Sequence, residues 1–380
     1  MKNKIFQWLV VFMLLFTTAG TSLAEDLELN TNAVLGVDYS TGDIVYNYNG
    51  DEKIAIASTT KLMTYLVVKD EIAKGRSSLK DRVTVDSEVA NTGGSSFLLR
   101  EGEKVKVEDL LEGIMIVSGN DACLALAKHF GGSEAGFVEI MNQKATELGL
   151  DNTVFYTSNG LPDKDGNENT MTAKELYKLS AHILSKYPEI ISTTEKSSLV
   201  IEERNFSGKN TNPLLGVVKG VDGLKTGYTD KAGRCLVATA EQQDGNRVIG
   251  IVMGADSEQS RLEKSKKLME TLINDYSRIS LYLKEETVGE RSIGSSKHQR
   301  IELYPVEDVE VFLKKDDDVP KQEVVMKSDI ELPIEPGDVV GTLHLSYGDV
   351  EKDIDLTVKS KISRFKLIRI GISNFFKSLI

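Results

Sequence analysis

Ser58-Thr59-Thr60-Lys61 places a hydroxyl and an amine three residues apart at the start of a helical pattern. One turn separates them, so both side chains lie on one face and the amine can reach the hydroxyl. The helix dipole favours negative charge beside the serine amide, where an oxyanion would develop in acyl transfer. The same Ser-x-x-Lys spacing recurs at Ser77–Lys80 and Ser363–Lys366, without companion motifs, and both of these read as chance. Two further segments set the first match apart: Ser118-Gly119-Asn120 just before a helical pattern, and Lys225-Thr226-Gly227 within a predicted strand. Each has an ordinary structural explanation when taken singly: Ser118 or Asn120 as a helix cap, Gly227 as a bulge, Lys225 as a surface lysine. Together, in this order and these settings, they read as a Ser-Lys centre.

Other chemistries lack their residues. A Ser-His-Asp hydrolase needs a histidine beside its nucleophile. Of the four histidines, His129 and His182 fall inside helical patterns, and His298 and His344 lie in the C-terminal part. No histidine pair at helical spacing, no Cys-x-x-Cys and no dense carboxylate cluster suggests a metal, and no Gly-rich nucleotide loop is present. No cofactor is expected.

The elements that must bring these segments together can be read from hydrophobic periodicity. Ala33–Tyr39 and Asp43–Tyr48 predict two strands joined by Ser40-Thr41-Gly42. Helices are expected over Ser58–Ala73, Val107–Ile116, Asp121–Phe130, Glu134–Leu148 and Ala173–Ser185. Strands follow at Gly223–Thr229, Arg234–Glu241 and Asn246–Gly254, then a charged helix over Glu258–Tyr276. Strands at both sequence ends with helices between them predict an α+β fold. One antiparallel sheet would draw on distant parts of the chain and carry helices on both faces. After Leu283, alternating segments at Val309–Leu313, Glu323–Met326, Val339–Ser346 and Asp353–Val358 predict a small all-β domain.

The three motifs, extended to Ser118-Gly119-Asn120-Asp121-Ala122-Cys123 and Lys225-Thr226-Gly227-Tyr228-Thr229-Asp230-Lys231-Ala232-Gly233, resemble the penicillin-binding protein and β-lactamase superfamily. The similarity is closest to the low-molecular-mass D-alanyl-D-alanine carboxypeptidases that trim bacterial peptidoglycan, and it runs from about Asn32 to Leu272. The resemblance implies a β-lactamase/transpeptidase-like catalytic domain. Ser58 would attack the carbonyl of the penultimate D-alanine of a stem peptide ending in D-Ala-D-Ala, with inhibition by β-lactams. Lys61 would be the base, Ser118 the proton carrier to the leaving amine, and Asn120 the residue orienting Lys61 and the peptide. The amides of Ser58 and Tyr228 would form the oxyanion hole, and Lys225, Thr226 and Arg261 would receive the terminal carboxylate, with Gly227 at the same strand. Lys61 must be neutral to act, so burial and a neighbouring cation, for which Lys225 is the natural candidate, must lower its pKa. The family often carries a basic residue before its Asn-x-Leu-Leu segment. Here Thr211 precedes Asn212-Pro213-Leu214-Leu215.

The rival readings are a β-lactamase, a DD-endopeptidase, and a non-catalytic β-lactam sensor or wall scaffold. The loop Asn159-Gly160-Leu161-Pro162-Asp163-Lys164 offers no glutamate comparable to that of class A β-lactamases, and a scaffold has no reason to keep Ser58, Lys61, Ser118, Asn120 and Lys225 together.

The two ends read as addresses. Lys2 and Lys4 precede an apolar run from Ile5 to Phe16, ending in Ser22-Leu23-Ala24: a signal peptide over residues 1–24, removing Trp8 on cleavage. Ile362, Phe365, Ile368, Ile372, Phe375, Phe376 and Leu379 recur at helical spacing in a segment, 359–380, that holds six basic residues and no acid. This predicts an amphipathic helix lying on an anionic membrane. Between the ends, the expected domains are residues 25–280, catalytic, and 284–358, β-rich. The net charge of -12 argues against a nucleic-acid partner. Cys123 and Cys235 sit among apolar neighbours and read as two buried free thiols.

Overall fold

The computed structural model describes residues 27, 29, 31–293 and 297–378. The expected signal segment, Trp8 included, lies outside the described residues. Five strands build the main sheet: β1 (Ala33–Asp38), β2 (Ile44–Tyr48), β3 (Val221–Thr229), β4 (Gly233–Glu241) and β5 (Arg247–Ala255), in the order β2-β1-β5-β4-β3. All the pairings are antiparallel, and Leu35 faces Ile251 across β1 and β5. The chain thus leaves the sheet after β2 and returns to it about 170 residues later at the far edge, as the sequence predicts.

Both faces of the sheet are buried because β1 is apolar at nearly every position. Alternation sends Leu35 and Val37 into one core and Val34 into another. The second core is closed by α6 (Glu258–Asn274) through Leu268, Met269 and Leu272. The first is closed by α1 (Lys61–Ala73), α2 (Val107–Ile116), α3 (Asn120–Gly131), α4 (Glu134–Glu147) and α5 (Ala173–Lys186). Helix α1 is buried on almost every side: Met63, Tyr65 and Val68 are inside along with the expected Leu62, Leu66 and Val67. An all-round buried helix is a central strut rather than a surface element. Its neighbour α5 starts with a capping box, Thr172 and Glu175 bonding reciprocally.

The expected helix over Glu258–Tyr276 stops at Asn274. Tyr276 instead opens β6 (Tyr276–Tyr282), which pairs with β9 (Val309–Lys314). Pairing of the β-rich part therefore begins inside the stretch that the sequence reading gave to the catalytic domain. A five-stranded sheet completes this part, with β7 (Gly289–Ser292), β8 (Arg300–Pro305), β10 (Lys321–Met326), β11 (Gly341–Tyr347) and β12 (Val350–Thr357) in the order β7-β8-β12-β11-β10. The terminal helix α7 (Arg364–Lys377) is capped by Ser363, whose Oγ accepts from the Lys366 amide, so the third Ser-x-x-Lys match is a helix cap. Leu367 and Ile362 pack into the β-rich core, whereas Phe365, Ile368, Ile372, Phe375 and Phe376 are exposed.

One carboxylate joins the two parts. Asp43, in the β1–β2 turn and 4% exposed, accepts hydrogen bonds from the Phe312 amide (2.9 Å), Tyr347 Oη (2.6 Å) and Lys352 Nζ (3.2 Å). The ring of Phe312 also stacks on Tyr276. Removing a buried acceptor leaves its donors desolvated and unpaired. Asp43→Ala should therefore cost about 2–4 kcal/mol, read by thermal denaturation as a lower Tm. An unchanged Tm would show that the junction does not depend on this carboxylate.

Candidate active site

The candidate nucleophile lies on a 3-10 turn, Ala57–Thr60, that leads into α1. Ala57 and Thr59 point inward, leaving Ser58 half-buried. Lys61, one turn on, is completely buried. Its Nζ lies 2.8 Å from Ser58 Oγ, 2.7 Å from Asn120 Oδ1 and 2.9 Å from the Asn159 carbonyl. A protonated amine donates to all three. A neutral one keeps two donors for Asn120 and Asn159 and turns its lone pair to the serine hydroxyl. Burial pulls the Lys61 pKa down from 10.5 to about 8, so an appreciable fraction is neutral near physiological pH.

The second motif sits between α2 and α3. Ser118 adopts φ +61°, and its Oγ accepts from Lys225 Nζ at 3.0 Å. Asn120, the first residue of α3, donates its Nδ2 to the Gly93 carbonyl (2.8 Å), which fixes the amide so that Oδ1 faces Lys61. Lys225 is likewise buried, and its Nζ also bonds the Thr226 carbonyl at 2.9 Å. Burial, followed by the charge of Lys61, drives the Lys225 pKa well below its ordinary value. Burial is the first cause of lowering at both lysines, and the repulsion between their ammonium groups acts in the same direction.

The third motif runs along edge strand β3. A Cβ on Gly227 would lie 3.0 Å from the Ile56 carbonyl and 3.1 Å from the amides of Ser58 and Thr59, so the strand passes directly against the backbone of the nucleophile's turn. Thr226 Oγ1 donates to Thr211 Oγ1 at 2.7 Å. Tyr228 is half-exposed, bonds Asp230 through its hydroxyl, and carries the Arg234 guanidinium 4.0 Å above its ring. Arg261 on α6 is buried and bonds Glu258 of the preceding turn, and Glu258 also reaches Arg234 at 3.4 Å. The structure therefore forms two hydrogen-bonded groups, Ser58–Lys61–Asn120 and Ser118–Lys225, on adjoining segments, with Thr226 and Gly227 on the strand that carries Lys225. Arg261 bonds none of them, although its charge is felt at Lys225. Ser77, the serine of the second Ser-x-x-Lys match, instead bonds Asp81 at an exposed site.

The family described as D-alanyl-D-alanine carboxypeptidase matches residues 19–257, and the penicillin-binding protein 5 C-terminal domain matches residues 276–364. The chain belongs to the D-alanyl-D-alanine carboxypeptidase family. D-alanyl-D-alanine carboxypeptidase DacF of Bacillus subtilis is 33% identical over 95% of this chain and 93% of its own length. The crystal structure of the carboxypeptidase DacD from Francisella tularensis has a TM-score of 0.77 at 29% identity, over 88% of this chain and 94% of that one. Penicillin-binding protein D2 from Listeria monocytogenes, in its ampicillin-bound form, has a TM-score of 0.59 at 34% identity, over 64% of this chain and 98% of that one. The protein is accordingly a serine-type D-Ala-D-Ala carboxypeptidase of the low-molecular-mass penicillin-binding class, with the transpeptidase-like domain and trailing β domain of that group.

Several groups in this carboxypeptidase cleft were not singled out as site residues from the sequence. The Asn159 carbonyl is a partner of Lys61, and the Gly93 carbonyl is a partner of Asn120. Both are backbone atoms, which residue type does not advertise. Asn159-Gly160 carries a turn signal, but nothing in it points to a lysine. Thr211, where the family often has a basic residue, faces Thr226 through its hydroxyl. Both cysteines are buried and free, as expected. Burial raises the Cys123 thiol to about 12 and Cys235 to about 11, which removes them as nucleophiles.

Proposed function

We propose that Ser58 is the nucleophile and Lys61 the base, acting on peptidoglycan stem peptides that end in D-Ala-D-Ala. The observation that carries this reading is the 2.8 Å contact between Ser58 Oγ and a fully buried amine whose pKa is pulled down to about 8. Lys61 Nζ takes the Ser58 proton as Oγ attacks the carbonyl carbon of the penultimate D-alanine. The tetrahedral oxyanion is held by the amides of Ser58 and Tyr228. The peptide C–N bond then breaks, Ser118 passes its hydroxyl proton to the leaving amine of D-alanine, and the proton that Lys61 took from Ser58 restores the Ser118 hydroxyl. Water hydrolyses the acyl ester on Ser58, yielding the shortened peptide and free enzyme. Lys225 holds Ser118 and, with Thr226, Thr211 and the charge of Arg261, favours the terminal carboxylate. Penicillins, which present a strained amide and a carboxylate, acylate the same serine and leave it slowly.

Because the base must be neutral, acylation should accelerate as pH rises, about tenfold per unit below a midpoint near 8 and level above it. Stopped-flow labelling between pH 6 and 10 checks this, and a flat profile would count against Lys61 as base. The functional assignment is tested with an acyl-D-Ala-D-Ala peptide and a labelled penicillin. D-alanine release with slowly decaying label is expected. Rapid loss of label would mark a β-lactamase, and label without D-alanine would mark a sensor.

The protein is further proposed to be exported and held at the outer face of the cytoplasmic membrane by α7. Among the described residues no helix is long and apolar enough to cross a membrane. What supports a surface-lying role is a basic helix exposing Phe365, Ile368, Ile372, Phe375 and Phe376. Co-sedimentation with vesicles containing phosphatidylglycerol, lost on Phe365→Asp combined with Phe376→Asp, is the expected result. Equal binding by the variant would remove α7 as the anchor.

A further inference from the structure

Ser118 lies in the short link before α3, and Asn120 is the first residue of that helix. What backs them is the 93–99 loop. The Asn120 amide donates to the Ser95 carbonyl (2.7 Å), and Asn120 Nδ2 donates to the Gly93 carbonyl (2.8 Å). The Asp121 carboxylate accepts from the Phe97 amide (2.7 Å), the Leu99 amide (3.1 Å) and Ser96 Oγ (2.7 Å). Phe97 is fully buried and lies so close to Gly119 that a Cβ there would sit 2.8 Å from its own Cβ. Any drift of Phe97 is therefore passed to the residue between Ser118 and Asn120.

The loop is itself held from outside by one residue that no motif contains. Arg204 lies at the tip of a hairpin formed by Ser198–Ile201 and Phe206–Lys209. Its side chain is only 8% exposed. The guanidinium donates to Glu103 through Nε (2.6 Å) and to the Phe97 and Leu98 carbonyls through Nη2 (3.2 Å each). It also lies 4.1 Å over the Phe97 ring, which meets the Phe206 ring edge-on at 4.6 Å. Burial alone would raise the Glu103 carboxyl, but the hydrogen bond and charge of Arg204 more than offset this and hold it below its ordinary value. An arginine that combines ring stacking, two carbonyl contacts and a carboxylate is a planar, multidentate fastening that lysine cannot reproduce.

We propose that Arg204 is a positioning residue for the carboxypeptidase reaction: by clamping the 93–99 loop through Phe97 and Glu103, it keeps Ser118 and Asn120 in register with Lys61. This rests on the roles given above to those three residues. Hairpin, loop and second motif then form one mechanical unit, since the same hairpin runs on to Thr211, whose amide bonds the Ile116 carbonyl at the end of α2.

The test compares Arg204→Ala and Arg204→Gln with the wild-type chain, and uses Arg82→Ala as a control. Arg82 also reaches this hairpin, through Glu203, but across an exposed pair at 3.4 Å. In both Arg204 variants, penicillin acylation and kcat for D-alanine release should fall about 10- to 100-fold with KM changed much less. The pH midpoint of acylation should move upward as water reaches Lys61. The groups facing Lys61, namely Lys225, Cys123 and Asp121, are unaltered in these variants, so they leave that shift to the loop. Arg82→Ala should match the wild type. The proposal is overturned if either Arg204 variant, measured on its folded fraction, acylates at the wild-type rate with an unmoved midpoint, or if its loss only tracks the unfolded fraction. That outcome leaves the functional assignment intact, because wild-type labelling and D-alanine release are read independently in the same experiment.

Discussion

Lys61→Met should lower penicillin acylation and D-alanine release by about 10³-fold or more, while retaining most of the fold. General-base assistance contributes about 10²–10⁴-fold, and the buried cluster offers no substitute proton acceptor at Ser58. Lys225 Nζ is committed to Ser118 and the Thr226 carbonyl, and Cys123 is held protonated by burial. Methionine preserves the volume of the side chain, so the change separates chemistry from packing. It does leave Asn120 Oδ1 and the Asn159 carbonyl without their donor, for a stability cost of about 1–3 kcal/mol. Acylation kinetics scaled to folded protein check the expectation. Retention of more than a tenth of the wild-type rate would show that the Ser58 proton goes elsewhere.

Gly160→Ala is expected to be nearly as damaging, although no motif contains this residue. Gly160 has φ +88°, which L side chains rarely adopt. A Cβ there would fall 2.0 Å from the Ala57 carbonyl and 3.0 Å from the Ser58 amide. All the atoms it meets are backbone, so nothing can rotate away. Either the 159–161 loop lifts, removing the Asn159 carbonyl from Lys61, or the nucleophile's turn is pushed toward β3, where Gly227 leaves no slack. Acylation should drop about 10²-fold or more, and stability should fall by about 2–4 kcal/mol through strain and overpacking. Thermal melts together with acylation rates measure both. Wild-type kinetics would mean the loop can move without disturbing the site.

These two expectations differ in how far the sequence alone could supply them. Lys61 was legible because Ser58 and Lys61 are local: helical spacing alone sets their shared face. Ser118, Asn120 and Lys225 are legible as motifs in the right settings; Asn120 bonds Lys61, and Lys225 bonds Ser118. Gly160, the Asn159 carbonyl and the Gly93 carbonyl were not, because what matters there is where a backbone passes in three dimensions. Arg204 was hidden for a related reason: an arginine in a polar stretch looks solvated until Phe97 and Glu103 are brought to it. In the scaffold, the helix starts and stops of α2 and α4 follow the periodicity closely, whereas α1, for which the spacing predicts a helix with Leu62, Leu66 and Val67 inside, is buried nearly all round. The strand β8 alternates Ile301 and Leu303 inward with Arg300 and Glu302 outward, a period-2 pattern that its sequence carries. Strand β6 is different. Its serines and arginine blur the alternation, and its pairing with β9 and the stacking of Tyr276 on Phe312 are tertiary facts.

The division of labour in the cleft follows from burial. Two lysines are placed where charge is costly. The one beside Ser58 has a carbonyl, an amide oxygen and a hydroxyl around it that suit either protonation state, and the other is tied to Ser118. Local turn geometry leaves Ser58 half-buried at the surface of the cleft, and the β3 backbone closes against its turn at Gly227. At 2.8 Å, the proposed proton transfer from Ser58 to Lys61 needs no motion larger than a rotamer adjustment.

The most direct measurement is peptide mapping after brief reaction with a labelled penicillin. Tryptic cleavage after Lys53 and Lys61 yields the fragment Ile54–Lys61, which contains Ser58. One equivalent of label is expected on Ser58 in this fragment, and Ser58→Ala is expected to abolish both labelling and D-alanine release. Label on another residue, or D-alanine release that persists in Ser58→Ala, would contradict it.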